Sequence, residues 1–511
     1  MPSLVTTKFR HHNADQFFEA FSEASPSYIY MFIGRVRSWS NDFDPPTPVD
    51  AVANTEFEHW NDMIAAKRTN STDVTYAVVR TNWVTGTVYA EYSDKAALAD
   101  TNYFVLTDAY NVYKCLYNNK GAASSVKPTG TTTSKFSTSD DYIWKFMYTI
   151  DAADALKWVT ESYIPVTTLT SDDGSTQWDV QQAAANGAVD VIDVVNTGAW
   201  AGGAANYNTG TLAAVANTSQ MTLAAGAGAN NGIYTGSTIY ITSGTGIGQQ
   251  SVITDYNGTS KVVQLTTAFA TAPTTASKYS VAPTVTITGD GHTGRFLATA
   301  IATMNTTTNL IQTVVPTFVG NNYSQATVSF AANGFSGATA TTYIAPPGGH
   351  GADPVQELGG YNVMLNTKFD KTESGVFTTG NDFRKVGVLR DPLLPTGAAA
   401  TNTAYDQSTT LNITGISGSY NVDEIVTGGT SAKTGRVIDA NTSQIRVTST
   451  SGTFTETETL TGAGSGATAT LASIRPVALR KYSGDVIYVE QRSPISRAAD
   501  QIEDVKLIIK F

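Results

Sequence analysis

The chain has 511 residues, more than a single domain usually holds, so we expect about two to four domains. Its net charge of −11 and isoelectric point near 5.0 argue against nucleic-acid binding, because phosphate-binding proteins carry clustered Lys and Arg. An acidic surface also disfavours contact with anionic membranes. A single cysteine, Cys115, excludes a disulfide framework or a cysteine zinc site within one chain.

The composition favours β structure over long helices. Charged residues make up 15% of the chain, below the roughly 25% typical of soluble domains. Thr, Ser, Ala, Asn and Gly take their place, and these residues favour strands and turns. The N-terminus lacks a signal-peptide core and there is no apolar run of about 18 residues, so we expect a soluble product made in a cytoplasm.

Residues 1–184 predict a mixed region of helices and strands. Asn13 is the predicted N-cap of a helix with Phe17, Phe18 and Phe21 on one face. A capping box predicts a second helix that runs to about Arg68. That box is formed by Thr55 and Glu58. Predicted strands are "IYMFIGRVRSW" (29–39), "YAVVRTNW", "NYFVLTDAYNVYKCLY" and "DYIWKFMYTID". Alternation around Cys115 indicates a buried, inert thiol.

The sequence changes in character near residue 185. Between Val194 and Thr254 there is no Asp, Glu, Lys or Arg, and short Thr/Val/Ile runs alternate with glycine turns. Residues within 284–300 align with residues within 326–342 at a spacing of 43, so that Val285 matches Val328, and residues 420–437 align with 454–471 at a spacing of 34. Each copy predicts a strand, a glycine turn and a strand. Two copies favour a small β sandwich or barrel over a solenoid, which normally needs at least about three.

These changes in character predict a core domain that is interrupted twice. The predicted segments are an N-terminal core segment (1–184), a β-rich insertion (185–354), a central core segment (355–399), a second β insertion (400–474) and a C-terminal core segment (475–511). We therefore predict a mainly β protein with a few helices. Its two insertions would be small all-β modules.

The stretch "PPGGHGADPVQELGG" (346–360) resembles an active-site loop, since His350 lies three residues from Asp353 on a glycine-rich turn. A hydrolase would also need a nucleophile or a metal, and no G-x-S-x-G or H-E-x-x-H occurs. The five histidines are His11, His12, His59, His292 and His350, and their spacing does not indicate a metal site. We favour a compact turn in which Gly348, Gly349 and Gly351 supply positive φ.

Three other features are open to a functional interpretation. "SGTGIGQQ" (243–250) contains G-x-G-x-G but is followed by a strand pattern, which favours a hairpin turn over a phosphate loop. Carboxylate pairs for glycoside hydrolysis are available as Asp190 with Asp193 and Glu456 with Glu458. A sugar-binding face would need exposed aromatic residues, for which the candidates are Trp200, Tyr207 and Tyr234.

"RVRSWSNDFDPPTPVD" places Arg and aromatic residues beside a rigid proline-rich loop, a combination typical of protein–protein contacts. Alternatively, its aromatic residues seal the edge of the core. The candidate interface residues are Arg35, Arg37, Trp39, Phe43, Pro45, Pro46, Arg492 and Phe511.

Six blocks in order resemble a known family. They are "VTTKFR", "MFIGRVRSWSNDFDPPTPVDAV", "VYKCLYN", "DDYIWKFMYTI", "NDFRKVGVLRDPL" and "SGDVIYVEQRSPISRAADQIEDVKLIIKF". Together they resemble the baseplate wedge protein of T-even-type contractile-tailed bacteriophages, over about 3–184, 356–394 and 480–511. This chain departs from the T-even member by its two β insertions.

The resemblance implies a structural protein of the virion. It implies a homodimer in the tail baseplate whose core is a layered β sandwich with helix-bearing loops, which contacts neighbouring wedge proteins and has no enzymatic activity. From the residues themselves we expect no cofactor or metal and no binding of nucleic acid or membrane, because the sequence contains no cofactor motif, metal-ligand spacing or basic patch. The alternative hypothesis is a tail adhesin or depolymerase whose β insertions bind or cleave a host surface glycan.

Overall fold

A computed structural model describes residues 4–23, 27–35, 37–49, 54–98, 101–201, 206–290, 296–370, 382–496 and 502–511. Strands account for 44% and helices for 9% of the described residues, which confirms the predicted mainly β class with few helices. The α-helices are α1 Thr7–Glu19, α2 Asn54–Asp62, α3 Ala152–Trp158, α4 Thr176–Gln182 and α5 Pro354–Glu357. A 3-10 turn spans Ser71–Asp73.

The strands are numbered in chain order. In the first half they are β1 Ile29–Gly34, β2 Met63–Arg68, β3 Val74–Val79, β4 Phe104–Leu106, β5 Asn111–Tyr117, β6 Phe136–Ser137, β7 Ile143–Thr149, β8 Tyr163–Val166, β9 Val189–Trp200, β10 Asn208–Thr211, β11 Ala214–Val215, β12 Gln220–Thr222, β13 Ser237–Ser243, β14 Gln250–Asn257 and β15 Val262–Leu265. The remainder are β16 Lys278–Gly289, β17 Thr299–Met304, β18 Ile311–Phe318, β19 Ala326–Ala331, β20 Phe335–Ile344, β21 Asn362–Asp370, β22 Asp382–Arg390, β23 Ala404–Asp406, β24 Thr409–Ser417, β25 Ile425–Gly428, β26 Thr434–Ala440, β27 Gln444–Thr448, β28 Thr459–Gly462, β29 Thr468–Arg475, β30 Asp485–Ser496 and β31 Ile502–Lys510.

The chain divides into two compact units, each built from separate stretches of sequence. The first unit comprises Met1–Val78, Leu156–Val166 and Gly359–Phe511, and the second comprises Val79–Ala155 and Thr167–Leu358. This division differs from the predicted one, because the N-terminal core segment (1–184) is shared between the two units. Within the second unit, Tyr92 and Leu116 from the predicted core pack with Val191 from the predicted insertion.

The first unit contains two sheets and a closed barrel. One sheet has the strand order β23-β2-β1-β22-β30 and the other has the order β31-β21-β3-β8. One core cluster contains residues of both sheets, including Met31 of β1, Val386 of β22, Leu365 of β21 and Leu507 of β31. The two sheets therefore share one apolar core, in keeping with the layered β-sheet core that the resemblance implies.

Strand β22 connects distant regions of the sequence in the sheet β23-β2-β1-β22-β30. It pairs with β1 on one side and with β30 on the other, both antiparallel. Seven consecutive residues of β22 are buried, so the strand is covered on both faces. Opposite Phe32 lies Gly387, where an added Cβ would come within 2.4 Å of the Phe32 ring. Glycine at this position therefore makes room for an aromatic ring in the middle of the sheet.

The first helix begins earlier than predicted. Helix α1 starts at Thr7 with Thr6 as its N-cap, whose side chain accepts a hydrogen bond from the Phe9 amide, so the assignment of Asn13 as N-cap is wrong. The predicted apolar face is present, since Phe17 and Phe18 pack against the core of the first unit.

The predicted helix to Arg68 is also wrong, because α2 ends at Asp62 and β2 follows directly. Met63, Ile64, Ala65 and Ala66 are all buried, as a strand covered on both faces requires. Pairing with β1 thus overrides the local helical preference of the Ala-rich segment.

The second repeat forms a six-stranded closed barrel with the order β24-β27-β26-β25-β28-β29. Strands β25 and β28 are the equivalent first strands of the two copies, and they pair antiparallel with Thr427 opposite Thr461. These two threonines occupy matching repeat positions. The copies are therefore related by a local twofold axis that passes between them.

The repeated glutamates reinforce this symmetry. Glu458 accepts hydrogen bonds from the amides of Thr430 and Ser431 at 2.9 and 2.8 Å, in the turn of the other copy. Glu424 accepts in the same way from Gly464 and Ser465, each at 2.8 Å. Burial opposes ionisation of both carboxyls, but these donors outweigh it and lower both pKa values. Each copy therefore closes the turn of the other.

The second unit contains a four-stranded sheet, β4-β5-β7-β6, and a twelve-stranded sheet. The order of the large sheet is β11-β12-β15-β14-β13-β16-β17-β18-β9-β20, and β10 and β19 also pair with β16. The first repeat lies in this sheet. Its copies pair through β16 and β19, with Thr286 opposite Ser329 at matching repeat positions, which gives a second local twofold axis.

Candidate functional site

The loop at His350 is a compact turn in the second unit. Gly348, Gly349 and Gly351 have φ of 88°, 100° and 92°, which confirms the predicted use of glycine for positive φ. Helix α5 follows at once, and Asp353 is its N-cap. An added Cβ on Gly349 would lie 2.4 Å from the Ala185 amide nitrogen, so this turn also permits close backbone packing.

The side chain of His350 belongs to a buried ionic cluster. Lys114 Nζ on β5 donates to Glu357 Oε2 at 2.8 Å and lies 3.1 Å from His350 Nδ1. Lys114 is 1% exposed and the Glu357 side chain is 4% exposed. The Tyr92 ring completes the enclosure, with its centroid 4.4 Å from Lys114 Nζ and 4.6 Å from the His350 ring. This is a lysine held between an aromatic face and a carboxylate.

The charge states of the cluster follow from its surroundings. Burial alone would raise the pKa of Glu357, but the Lys114 ammonium and His350 outweigh burial and lower that pKa to about 2. Burial lowers the pKa of His350, and the adjacent Lys114 charge lowers it further. Glu357 is therefore ionised at neutral pH and His350 is neutral, which leaves Nδ1 free to accept from Lys114.

The His350–Asp353 pair of an active-site loop is not formed. Asp353 caps α5 by accepting from the Gln356 amide at 3.1 Å, and it also accepts from the Thr168 hydroxyl at 2.5 Å. Within the described residues there is no cluster of three or more His, Cys, Asp or Glu side chains placed to hold a metal ion. His292 lies outside the described residues. The loop thus contributes Glu357 to a structural ion pair with Lys114.

The carboxylates proposed for glycan hydrolysis are engaged in structural contacts. Asp190 forms an ion pair with Lys135 at 3.3 Å. Asp193 accepts from the Tyr117 hydroxyl at 3.1 Å. Glu458 closes a turn of the barrel, as described above, while Glu456 is exposed.

The aromatic residues proposed for sugar binding separate into two groups. Trp200 and Tyr234 are buried, and their polar atoms bond internally, to the Asn309 carbonyl and the Gly228 amide respectively. Tyr207 is half-buried. Only Tyr207 of the three therefore remains accessible.

Two sequence interpretations are confirmed. Cys115 is buried, and burial raises the pKa of its thiol, so it remains protonated and inert. The G-x-G-x-G segment turns between β13 and β14, which pair antiparallel, and Gly244, Gly246 and Gly248 have φ of 84°, 84° and 88°.

Of the predicted interface residues, Arg35 lies inside the first unit. It is 3% exposed, forms an ion pair with Asp382, and donates to Asp423 Oδ2 in the barrel at 2.9 Å. Its carbonyl accepts from the Arg436 guanidinium, also in the barrel, at 3.0 Å. Arg35 thus joins β1, β22 and the barrel, and it is not available to a second protein in this structure.

The segment after Arg35 is exposed and lies against β30. Trp39 Nε1 donates to the Arg492 carbonyl at 3.0 Å, which anchors the segment. Phe43 is 94% exposed, and Arg37 and Pro46 are also exposed. Strand β30 is the last strand of its sheet. We call Arg37, Trp39, Phe43, Pro46 and Arg492 the loop–β30 surface.

The two remaining predicted interface residues, Pro45 and Phe511, are half-buried. Pro45 lies within the same loop. Phe511 packs against Phe17 of α1, with ring centroids 5.6 Å apart, and contributes to the core of the first unit. The structure therefore brings Trp39 and Arg492 together, whereas Phe511 packs against a different element.

Sequence reasoning missed the partners of the buried charges. Lys114 and Glu357 are 243 positions apart, and Arg35 and Asp423 are 388 apart, so no local spacing indicates either pair. The only available signal was a charged residue within an apolar strand, as in "NVYKCLYNN".

Comparison with models of protein families found no match, and comparison with curated proteins also found none. In the portion of the chain that the structure describes, no helix is long and apolar enough to cross a membrane.

Replacing Glu357 with Gln tests the ionic cluster. The variant leaves the Lys114 ammonium buried without a countercharge, and we expect the free energy of unfolding to fall by about 3–5 kcal/mol. The double variant Lys114→Met/Glu357→Gln removes both charges and should recover at least half of that loss. Urea denaturation measures both. Lys127→Gln, which breaks the exposed pair with Asp108, is the matched control and should cause no measurable change.

The lowered pKa of His350 predicts a pH-dependent stability. The unfolded chain binds a proton near the ordinary histidine pKa of 6.5, whereas the folded chain does so only at lower pH. Acidification below 6.5 therefore favours unfolding, by at most about 1.4 kcal/mol per pH unit for one proton. His350→Gln should remove this contribution to the slope between pH 7.5 and 5.5. An unchanged slope, or an equal effect of the exposed-histidine variant His12→Gln, would refute the assignment.

Proposed function

We propose that this chain is a structural subunit of a contractile-tail baseplate. It is a wedge component that acts by holding a second copy of itself and neighbouring wedge proteins. The observation that carries the proposal is the ordered series of six blocks described above, of which the last extends to Phe511.

The placement of these blocks supports the proposal. In the first unit, the blocks that contain β1, β22 and β30 form three neighbouring strands of one sheet. In the second unit, "VYKCLYN" and "DDYIWKFMYTI" correspond to β5 and β7, which also pair. Five of the six resembling segments therefore contribute paired strands within a unit, while "VTTKFR" begins α1, as expected if they were retained together to preserve a fold.

The chemistry of the described residues is consistent with a scaffold. The cluster at His350 is buried and charge-balanced, so it stabilises the second unit and offers no accessible base. Three of the four candidate carboxylates, Asp190, Asp193 and Glu458, are each committed to an internal contact, whereas Glu456 is exposed. What the first unit does present is the loop–β30 surface, where aromatic and arginine side chains lie beside an edge strand. Such side chains anchor protein interfaces, and an edge strand is a site of further pairing.

Sedimentation velocity tests self-association at the loop–β30 surface. At tens of micromolar we expect a dimer, with twice the 54.1 kDa mass of the chain. Phe43→Ser should raise the dimer dissociation constant at least tenfold, because it removes an aromatic anchor. Leu4→Ser changes another exposed apolar side chain of the first unit and should leave the constant unchanged.

A monomer at these concentrations would contradict the homodimeric wedge proposal. A dimer that is unaffected by Phe43→Ser would place the contact elsewhere on the chain, and the interface assignment would then be wrong.

A further inference from the structure

A groove in the second unit has a lining suited to carbohydrate. Its volume is about 540 Å³, within the range of about 300–1,000 Å³ typical of ligand sites. Three neighbouring strands, β10, β16 and β13, form its floor, and β17 contributes a wall with Ile301 and Thr303. It lies wholly within the second unit and does not depend on the proposed baseplate role.

The strand register places polar side chains in rows across the floor. Thr209, Ser280 and Tyr240 lie opposite one another on the three strands. Thr211 lies opposite Lys278 in the neighbouring row. Side chains alternate between the two faces of a strand, so the residues between these positions point into the core. Those residues are Ile239, Ile241, Tyr279 and Val281, all buried in one apolar cluster.

The groove face has free hydrogen-bonding capacity. No described residue engages the side chains of Thr209, Thr211, Tyr240, Lys278 or Ser280 in a hydrogen bond or ion pair. Hydroxyl groups both donate and accept, so they complement sugar hydroxyls, which do the same. The β16 backbone is already paired on both sides here, so a ligand would be recognised through side chains.

Two tyrosines supply the apolar portion of such a site. Tyr240 lies on the floor and Tyr207 lines the groove, and both are half-buried. The Tyr207 hydroxyl donates to Asn309 Oδ1 at 3.0 Å, which fixes the position of its ring. A tyrosine offers an apolar face beside a polar tip, which matches a sugar ring with its C–H faces and hydroxyl edges.

Charge narrows the class of ligand. Among the described residues that line the groove, Lys278 alone is charged, and it is exposed. A nucleic acid would require several cations, and an apolar ligand would not use the rows of hydroxyls. A sugar polymer with spaced carboxylates would place one of them near Lys278 and its hydroxyls on the Thr and Ser rows. We propose that this groove binds a segment of a uronic-acid polysaccharide.

Isothermal titration calorimetry of the full chain tests this with three uronic-acid polymers: polygalacturonate, alginate and hyaluronan. We expect at least one to bind with a dissociation constant below 1 mM, expressed per binding segment. Dextran lacks the carboxylates and polyglutamate lacks the sugar rings, so both should bind at least tenfold more weakly. Absence of binding by all three uronic-acid polymers, or equal binding of polyglutamate, would overturn the proposal.

Substitutions locate the site. Tyr240→Ala should weaken binding at least tenfold, and Lys278→Gln should reduce the preference for the acidic polymer over dextran. Phe318→Ala and Lys127→Gln alter an exposed aromatic residue and a lysine of the same unit outside the groove, and they are the matched controls. We expect unchanged melting temperatures for both groove variants, because Tyr240 and Lys278 lie on the face of the sheet opposite the core. Unchanged temperatures would show that the fold is retained. Full binding by both groove variants would exclude the groove as the site.

Discussion

The first unit depends on the burial of β22 between β1 and β30. These strands come from regions of the sequence more than 90 residues apart at their closest, so their pairing is non-local. The backbone pairing on both sides satisfies the amides of a strand that is buried on both faces, which isolated segments could not achieve. The close contact between Phe32 and Gly387 adds a steric constraint on the register, because a larger residue at 387 would meet the Phe32 ring.

Buried charges fix contacts that apolar packing leaves less specific. Arg35 links β1 to β22 and to the barrel, and Lys385 of β22 pairs with Asp62 at the end of α2 at 2.7 Å. In the second unit, Lys114 and Glu357 bring β5 and α5 together. Such pairs add little net stability over apolar residues, but removing one partner is costly. They therefore serve chiefly to select one arrangement of segments that are distant in sequence.

The sequence was informative where a pattern is local. The apolar run of β1, the glycine turns, the buried Cys115 and the repeat units all follow from short-range alternation or glycine placement. The strand predicted over 29–39 nevertheless ends at Gly34. The sequence was also misleading at residues 63–68, where an Ala-containing segment with helical preference becomes a strand because β1 provides a partner and both faces are buried. Asn13 is the predicted N-cap, but it lies inside α1, which begins earlier, at Thr7, with Thr6 as its cap.

The candidate sites show a different limit. A histidine and an aspartate three positions apart resemble an active-site loop, although we favour a compact turn, and their actual partners, Lys114 and Thr168, lie 236 and 185 positions away from them. The groove was equally hidden, because Tyr240 and Lys278 become neighbours only through the pairing of β13 with β16. Of the residues named from the sequence as candidates for sugar binding, Tyr207 lines the groove. The sequence thus shows which side-chain types are present, whereas the sheet register determines which of them become neighbours.

The local twofold axes indicate how the insertions became stable. In both repeats the equivalent first strands pair with each other, so each copy supplies the edge that the other would otherwise expose. In the barrel the exchange extends to Glu424 and Glu458, which satisfy the turn amides of the opposite copy. Two copies are therefore sufficient here, whereas a linear array would leave its terminal edges open.

Immunogold electron microscopy tests most directly our proposal that the chain is a component of a tail baseplate. Antibodies raised against the purified chain would be applied to contractile-tailed particles produced from the genome that encodes it. We expect gold at the end of the tail distal to the head. Unlabelled particles, with the chain recovered only as free protein, would contradict it.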